Sequence, residues 1–71
     1  MTGQEFARQV AIALGVEPLS DGEVDLLLAT AGVAAHASER LAAPLTTYLA
    51  GRSGRDLEEV RAAVQRLAGE L

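Results

Sequence analysis

The stretch Ser20-Asp21-Gly22-Glu23-Val24-Asp25-Leu26-Leu27-Leu28-Ala29-Thr30-Ala31-Gly32-Val33-Ala34-Ala35-His36-Ala37 decides the fold. Ser20 and Glu23 have the spacing of a capping box, in which each side chain accepts a hydrogen bond from the other residue's backbone amide. Asp21 and Glu23 also place negative charge where the helix dipole is positive. A helix is therefore expected from about 21 to 38. Val24, Leu27, Leu28, Ala31 and Ala35 form one apolar stripe along it, and Leu26, Ala29, Val33 and Ala37 form a second on roughly the opposite side. Between Glu23 and His36 the only charge is Asp25. A helix apolar on two faces is normally buried on both. This one is central to a bundle or shared with a partner chain, and Leu26, Ala29, Val33 and Ala37 are the candidate partner-facing stripe.

Towards the N-terminus, Thr2 and Glu5 repeat the capping-box spacing, so a first helix spans about 3–14. Phe6, Val10, Ala13 and Leu14 fall on one face, and Gly15 suits the left-handed position that ends helices. Pro18 disfavours helix at Glu17 and makes 17–19 a connector. Beyond the central helix, Pro44 interrupts the periodicity, and because proline is tolerated in a first turn a third helix is expected over about 44–51. Leu41, Leu45, Tyr48 and Leu49 read as its inward stripe. Gly51 to Gly54 reads as a turn, and Asp56 with Glu59 as a cap for a fourth helix over about 56–70. There Leu57, Val60, Val64, Leu67 and Leu71 keep helical spacing, while Glu58, Glu59, Arg61, Gln65, Arg66 and Glu70 take the other side. The expected fold is all-α, a single small bundle of four short helices forming one domain over 1–71.

A chain of 71 residues buries only about 60% of the surface that its unfolded form exposes, so modest stability is expected. With one Phe, one Tyr and no Trp, the core must be aliphatic. The absence of cysteine excludes disulfides, thiolate zinc sites and cysteine nucleophiles. No basic segment followed by an apolar run opens the chain, and no stretch approaches the roughly 18 apolar residues of a membrane span. A cytoplasmic protein without membrane contact is expected. The net charge is -4, and the basic residues are all arginines scattered along the chain, which argues against nucleic acid as a partner.

Side chains capable of chemistry are sparse. His36, the only histidine, lies at helical spacing from Glu39 and Arg40. One imidazole without neighbouring ligands argues for a structural or exposed histidine rather than a metal ligand or a general base. The sequence Ala42-Ala43-Pro44 offers no side chain to cap the third helix, so its first amides need water, a folded-back Ser38 or Glu39, or a bound anion. His36, Arg40, Pro44, Thr46 and Thr47 are accordingly the candidate anion or partner site. Arg52-Ser53-Gly54-Arg55 lacks the Lys-Ser/Thr and the preceding strand of a phosphate loop. Glu17, Asp21, Glu23 and Asp25 lack the pattern of a calcium loop. No catalytic residue, metal ligand or cofactor site emerges.

Residues 35–51, with Ala35-His36, Arg40 and Pro44-Leu45-Thr46-Thr47-Tyr48 before Gly51, resemble a small actinobacterial all-helical domain family of unknown function. Its members pair an alanine with a histidine, follow it with an arginine, and carry a Pro-Leu-Thr-aromatic or Pro-Leu-Thr-Thr-aromatic segment ahead of a glycine. Leu41 stands where many of them have a second proline. In that family the domain occurs alone or attached to molybdenum cofactor guanylyltransferase, so the resemblance implies that enzyme as a partner and a context in synthesis of molybdopterin guanine dinucleotide. Three functional expectations follow: a non-catalytic accessory or interaction domain, a small anion or nucleotide binder at the third helix, and a self-associating structural domain that forms a homodimer. An enzyme is disfavoured, because a bundle this small has little room for a water-excluding pocket.

Overall fold

The computed structural model describes all residues, 1–71, and is all-helical. Its four helices are α1 (Gly3–Leu14), α2 (Asp21–Ala37), α3 (Ala42–Ser53) and α4 (Leu57–Gly69). Local chemistry sets most of their ends. Glu5 N–H donates to Thr2 Oγ1 at 3.1 Å while Thr2 N–H donates to Glu5 Oε1 at 2.7 Å. Ser20 and Glu23 make the same reciprocal pair at 3.1 and 2.8 Å. Both are the capping boxes read from the sequence, and each supplies an acceptor to an amide that the helix itself leaves unpaired. Gly15 closes α1 at φ 71° and Gly54 follows α3 at φ 66°, a left-handed conformation that costs any residue with a Cβ about 1 kcal/mol or more.

α3 is longer than the sequence suggested. It begins at Ala42 rather than Pro44, which places the proline in the third position of the helix, where its missing N–H breaks no interior bond. It also runs past Gly51 to Ser53, whose hydroxyl donates to the Ala50 carbonyl at 2.7 Å. At the start of α4 the cap is Asp56 alone, accepting from Glu58 N–H at 2.8 Å. Glu59 does not contribute to it but pairs with Arg55 across one helical turn at 3.7 Å, both side chains open to water. An exposed pair of that kind adds little stability.

α2 is the central element, meeting α3 along one side and α4 along another. This is the central position expected of a helix apolar on two faces, although Leu28 of one stripe and Ala29 of the other stay exposed. The fully buried side chains are small: Ala11, Thr30, Ala34 and Ala50. On α2 the innermost line is Leu26, Thr30 and Ala34, and the Thr30 hydroxyl donates to the Leu26 carbonyl at 2.7 Å. Small residues on facing helices let backbones approach closely, so the contact is made by short side chains. From α4, Leu57, Val60, Val64 and Ala68 are half-buried, together with Arg61, whose Nε is buried without a hydrogen-bond partner.

One sequence expectation about packing fails here. α3 turns Ala43, Thr46, Thr47 and Ala50 toward the rest of the chain, and Leu45, Tyr48 and Leu49 outward. Leu41, Leu45, Tyr48 and Leu49 are therefore not its inward stripe; Tyr48 is 65% exposed, with the Arg52 guanidinium 4.9 Å from its ring centre. Similarly, Phe6, Val10 and Leu14 of α1 are exposed, Phe6 by 61%, because α1 makes only sparse contact with any other helix. In both helices the periodicity marks an apolar face, and that face is largely open to water.

Candidate interaction surface

Large apolar side chains on the outside dominate the surface. Fourteen of them are exposed, against three alanines and one threonine buried. Isolated exposed apolar residues are ordinary, whereas contiguous patches mark interaction sites. Four of them, Leu19, Leu28, Leu49 and Leu67, line three open grooves, one between α1, α2 and α3, one along α2 to α4 and one between α3 and α4.

The first groove, of about 660 Å³, lies between the N-terminal half of α1, the α2 residues Val24, Leu27, Leu28 and Ala31, and the start of α3 at Ala43 and Thr47. None of its eleven lining residues is charged. It exists because α1 stands off the α2–α3 layer, leaving Leu28 65% exposed. Leu28, in the stripe with Val24, Leu27, Ala31 and Ala35, is thus an outward residue. The second groove, about 550 Å³, is shallow and runs along α2 over Leu28, Ala29, Gly32, Val33, His36 and Ala37 to Ala68 of α4. The third, about 680 Å³, separates α3 from α4 and carries Arg55, Glu59 and Arg66 among its lining.

Within this surface the candidate residues fall as follows. Ala29, Val33 and Ala37 of the partner-facing stripe line the second groove with His36 beside them, whereas Leu26 is half-buried against the neighbouring helices. The anion-site residues do not line one common groove. His36 and Arg40 are exposed, Pro44 is exposed, and Thr46 and Thr47 are half-buried on different sides of α3. Thr47 borders the first groove and Thr46 the third, since consecutive helical residues are about 100° apart. The Thr47 hydroxyl donates to the Pro44 carbonyl at 3.1 Å. No side chain caps α3, in keeping with Ala42-Ala43-Pro44, but the chain closes the helix start itself: Ala42 N–H donates to the Glu39 carbonyl at 2.9 Å and Ala43 N–H to that of Arg40 at 3.1 Å. Pro44 has no N–H to offer.

Sequence reasoning missed Leu28, Leu27, Ala31 and Ala43 as residues of an open groove. The available signal was α1: a strongly amphipathic helix whose partner surface in the chain had not been identified. One carboxyl is perturbed. The backbone amide of Thr2, then its hydroxyl and the nearby Arg8, hold the Glu5 carboxyl below its ordinary value of 4.5. This is capping, and it lies at the solvent-exposed end of α1. No group of three or more His, Asp or Glu side chains is arranged to hold a metal ion, and no helix is long and apolar enough to cross a membrane.

These features define a small all-helical domain whose inner surfaces are made of small residues and whose large apolar side chains face outward. The chain belongs to the family described as Domain of unknown function (DUF6457), whose model matches residues 1–71. No curated protein and no solved structure matches it.

Proposed function

We propose that this chain is a non-catalytic protein-interaction domain that docks a partner on the apolar surface flanking α2. The observation that supports it is the inversion of side-chain size: Phe6, Leu14, Leu28, Leu45, Tyr48 and Leu49 are outside while Ala11, Thr30, Ala34 and Ala50 are inside. Leaving that much apolar surface in water forgoes about 25 cal/mol for each Å², and a partner recovers it. The second groove, where Ala29, Val33 and Ala37 lie beside His36, offers an open strip along α2 for a helix or an extended segment of another protein.

The partner that the sequence resemblance implies is molybdenum cofactor guanylyltransferase. In this reading the domain is a cytoplasmic accessory to that actinobacterial enzyme in the synthesis of molybdopterin guanine dinucleotide and contributes no catalytic residue. Titration of the isotope-labelled chain with the guanylyltransferase, followed by NMR, tests this. Shifts are expected to concentrate at Ala29, Gly32, Val33, His36 and Ala37. Unchanged spectra at high micromolar enzyme would refute that partner.

A further inference from the structure

We propose that the face made by α1, α2 and α3 is an interface between two copies of this chain, in which the ridge of Phe6, Val10 and Leu14 on each α1 seats in the first groove of the other copy, over Leu27, Leu28 and Ala31. The proposal rests on the interaction-domain reading and deepens it by naming one partner.

Surface area argues for it first. A folded monomer of 7.4 kDa exposes about 4,200 Å² by the usual mass scaling, whereas this chain exposes 5410 Å², an excess of about 1,200 Å². A standard protein–protein interface covers about 800 Å² on each partner, and obligate dimers cover more. The excess is therefore of the size that one copy gives up in a stable dimer. The radius of gyration agrees in direction: 12.5 Å, against about 11 Å for a compact domain of this length.

The chemistry of the groove argues second. Its lining has no charged side chain, so it has no group to pair with a phosphate, a nucleotide or an acidic peptide. The α3–α4 groove, bordered by Arg55, Glu59 and Arg66, lacks that uniformity and is not the face we assign. A small apolar molecule could fill the first groove but would leave Phe6 and Leu14 in water.

Self-complementarity argues third. A two-fold dimer needs one patch that fits itself. Here the ridge and the groove adjoin: Ala7 of α1 lines the groove, and Phe6, Val10 and Leu14 follow on the adjacent flank of the same helix. Two copies facing each other thus each present a ridge to a groove.

Sedimentation equilibrium across a dilution series tests the proposal. The expected mass is twice 7.4 kDa. Leu28→Glu and Phe6→Glu, both at exposed positions and expected to leave the circular dichroism unchanged, are expected to weaken dimerisation about 100-fold or more, as loss of a central apolar anchor does. Leu67→Glu, on α4 away from this face, is expected to leave it unchanged. Mixing labelled with unlabelled chains should give intermolecular NOEs from the Phe6 ring to Leu27 and Leu28 methyls. A doubled mass insensitive to both face variants overturns this face, and a single-chain mass carrying a bound apolar molecule in native mass spectrometry overturns the second copy as its occupant. A chain that stays single but shifts on guanylyltransferase overturns the dimer and leaves the interaction-domain reading standing; one that stays single and shifts with nothing overturns both.

Discussion

Thr30 is the side chain most completely enclosed in this chain, at 2% exposure, and its two branches make different contributions. Its hydroxyl donates to the Leu26 carbonyl at 2.7 Å. That carbonyl lies one helical turn back, where it is already positioned to accept the Thr30 backbone amide, so removing the hydroxyl orphans nothing. A net hydrogen bond is worth about 1 kcal/mol, and the buried hydroxyl carries a desolvation cost of similar size. Thr30→Val should therefore change stability by less than about 1 kcal/mol. Thr30→Ser keeps the hydroxyl and deletes the methyl. Loss of a buried methyl costs about 0.8 kcal/mol in transfer, and the void left between close-packed helices adds roughly half as much again. Thr30→Ser should thus destabilise by about 1.2 kcal/mol, which at 71 residues lowers Tm by about 5–10 °C. Thermal unfolding followed by circular dichroism, with all three chains at one concentration so that association shifts them equally, measures both. Thr30→Val less stable than Thr30→Ser would show that the hydroxyl, not the methyl, holds α2 in place, and the account of a core built by short apolar contacts would fail.

Three further outcomes are expected. Gly15→Ala forces a Cβ into φ 71° at the end of α1 and should cost about 1 kcal/mol in chemical denaturation, whereas Gly3→Ala, with nothing within 4 Å of the new Cβ and an ordinary φ, should be neutral or slightly stabilising. Arg61→Met keeps a half-buried apolar stem while removing the Nε that has no partner; the unfolding free energy from urea denaturation should rise by up to about 1 kcal/mol. Because the folded chain depresses the Glu5 carboxyl below 4.5, its contribution is fully present above that value and is lost as pH falls through the lower folded value. Protection of the amides in the first turn of α1, taken relative to the intrinsic exchange rate at each pH, should therefore fall below pH 4.5, and Glu5→Gln should remove that pH dependence of the protection.

Much of the fold was legible because helix ends are local. Thr2 with Glu5, Ser20 with Glu23, Asp56, Gly15 and Gly54 act over three or four residues, and the structure places each at the boundary that its chemistry implies. The α3 boundaries shifted because Pro44 in a first turn and Gly51 in a last turn permit a helix without requiring its end. Of the candidate surface, the row Ala29, Val33 and Ala37 with His36 beside it could be placed together from spacing alone. Thr46 and Thr47 could not be kept together, because adjacent residues on a helix point in different directions.

The sequence by itself determined four helices and which stripe of each is apolar, since capping and periodicity are properties of contiguous residues. Only the tertiary structure decided which of those stripes meet. Close approach of α3 and α4 to α2 selects the short side chains Thr30, Ala34 and Ala50 for the inside, and helices that meet over small residues leave Leu45, Tyr48 and Leu49 no room between them. With α1 standing away from that layer, the Phe6, Val10 and Leu14 stripe and the Leu28 face of α2 are left open, and burying them takes a surface that the spacing within one chain does not supply.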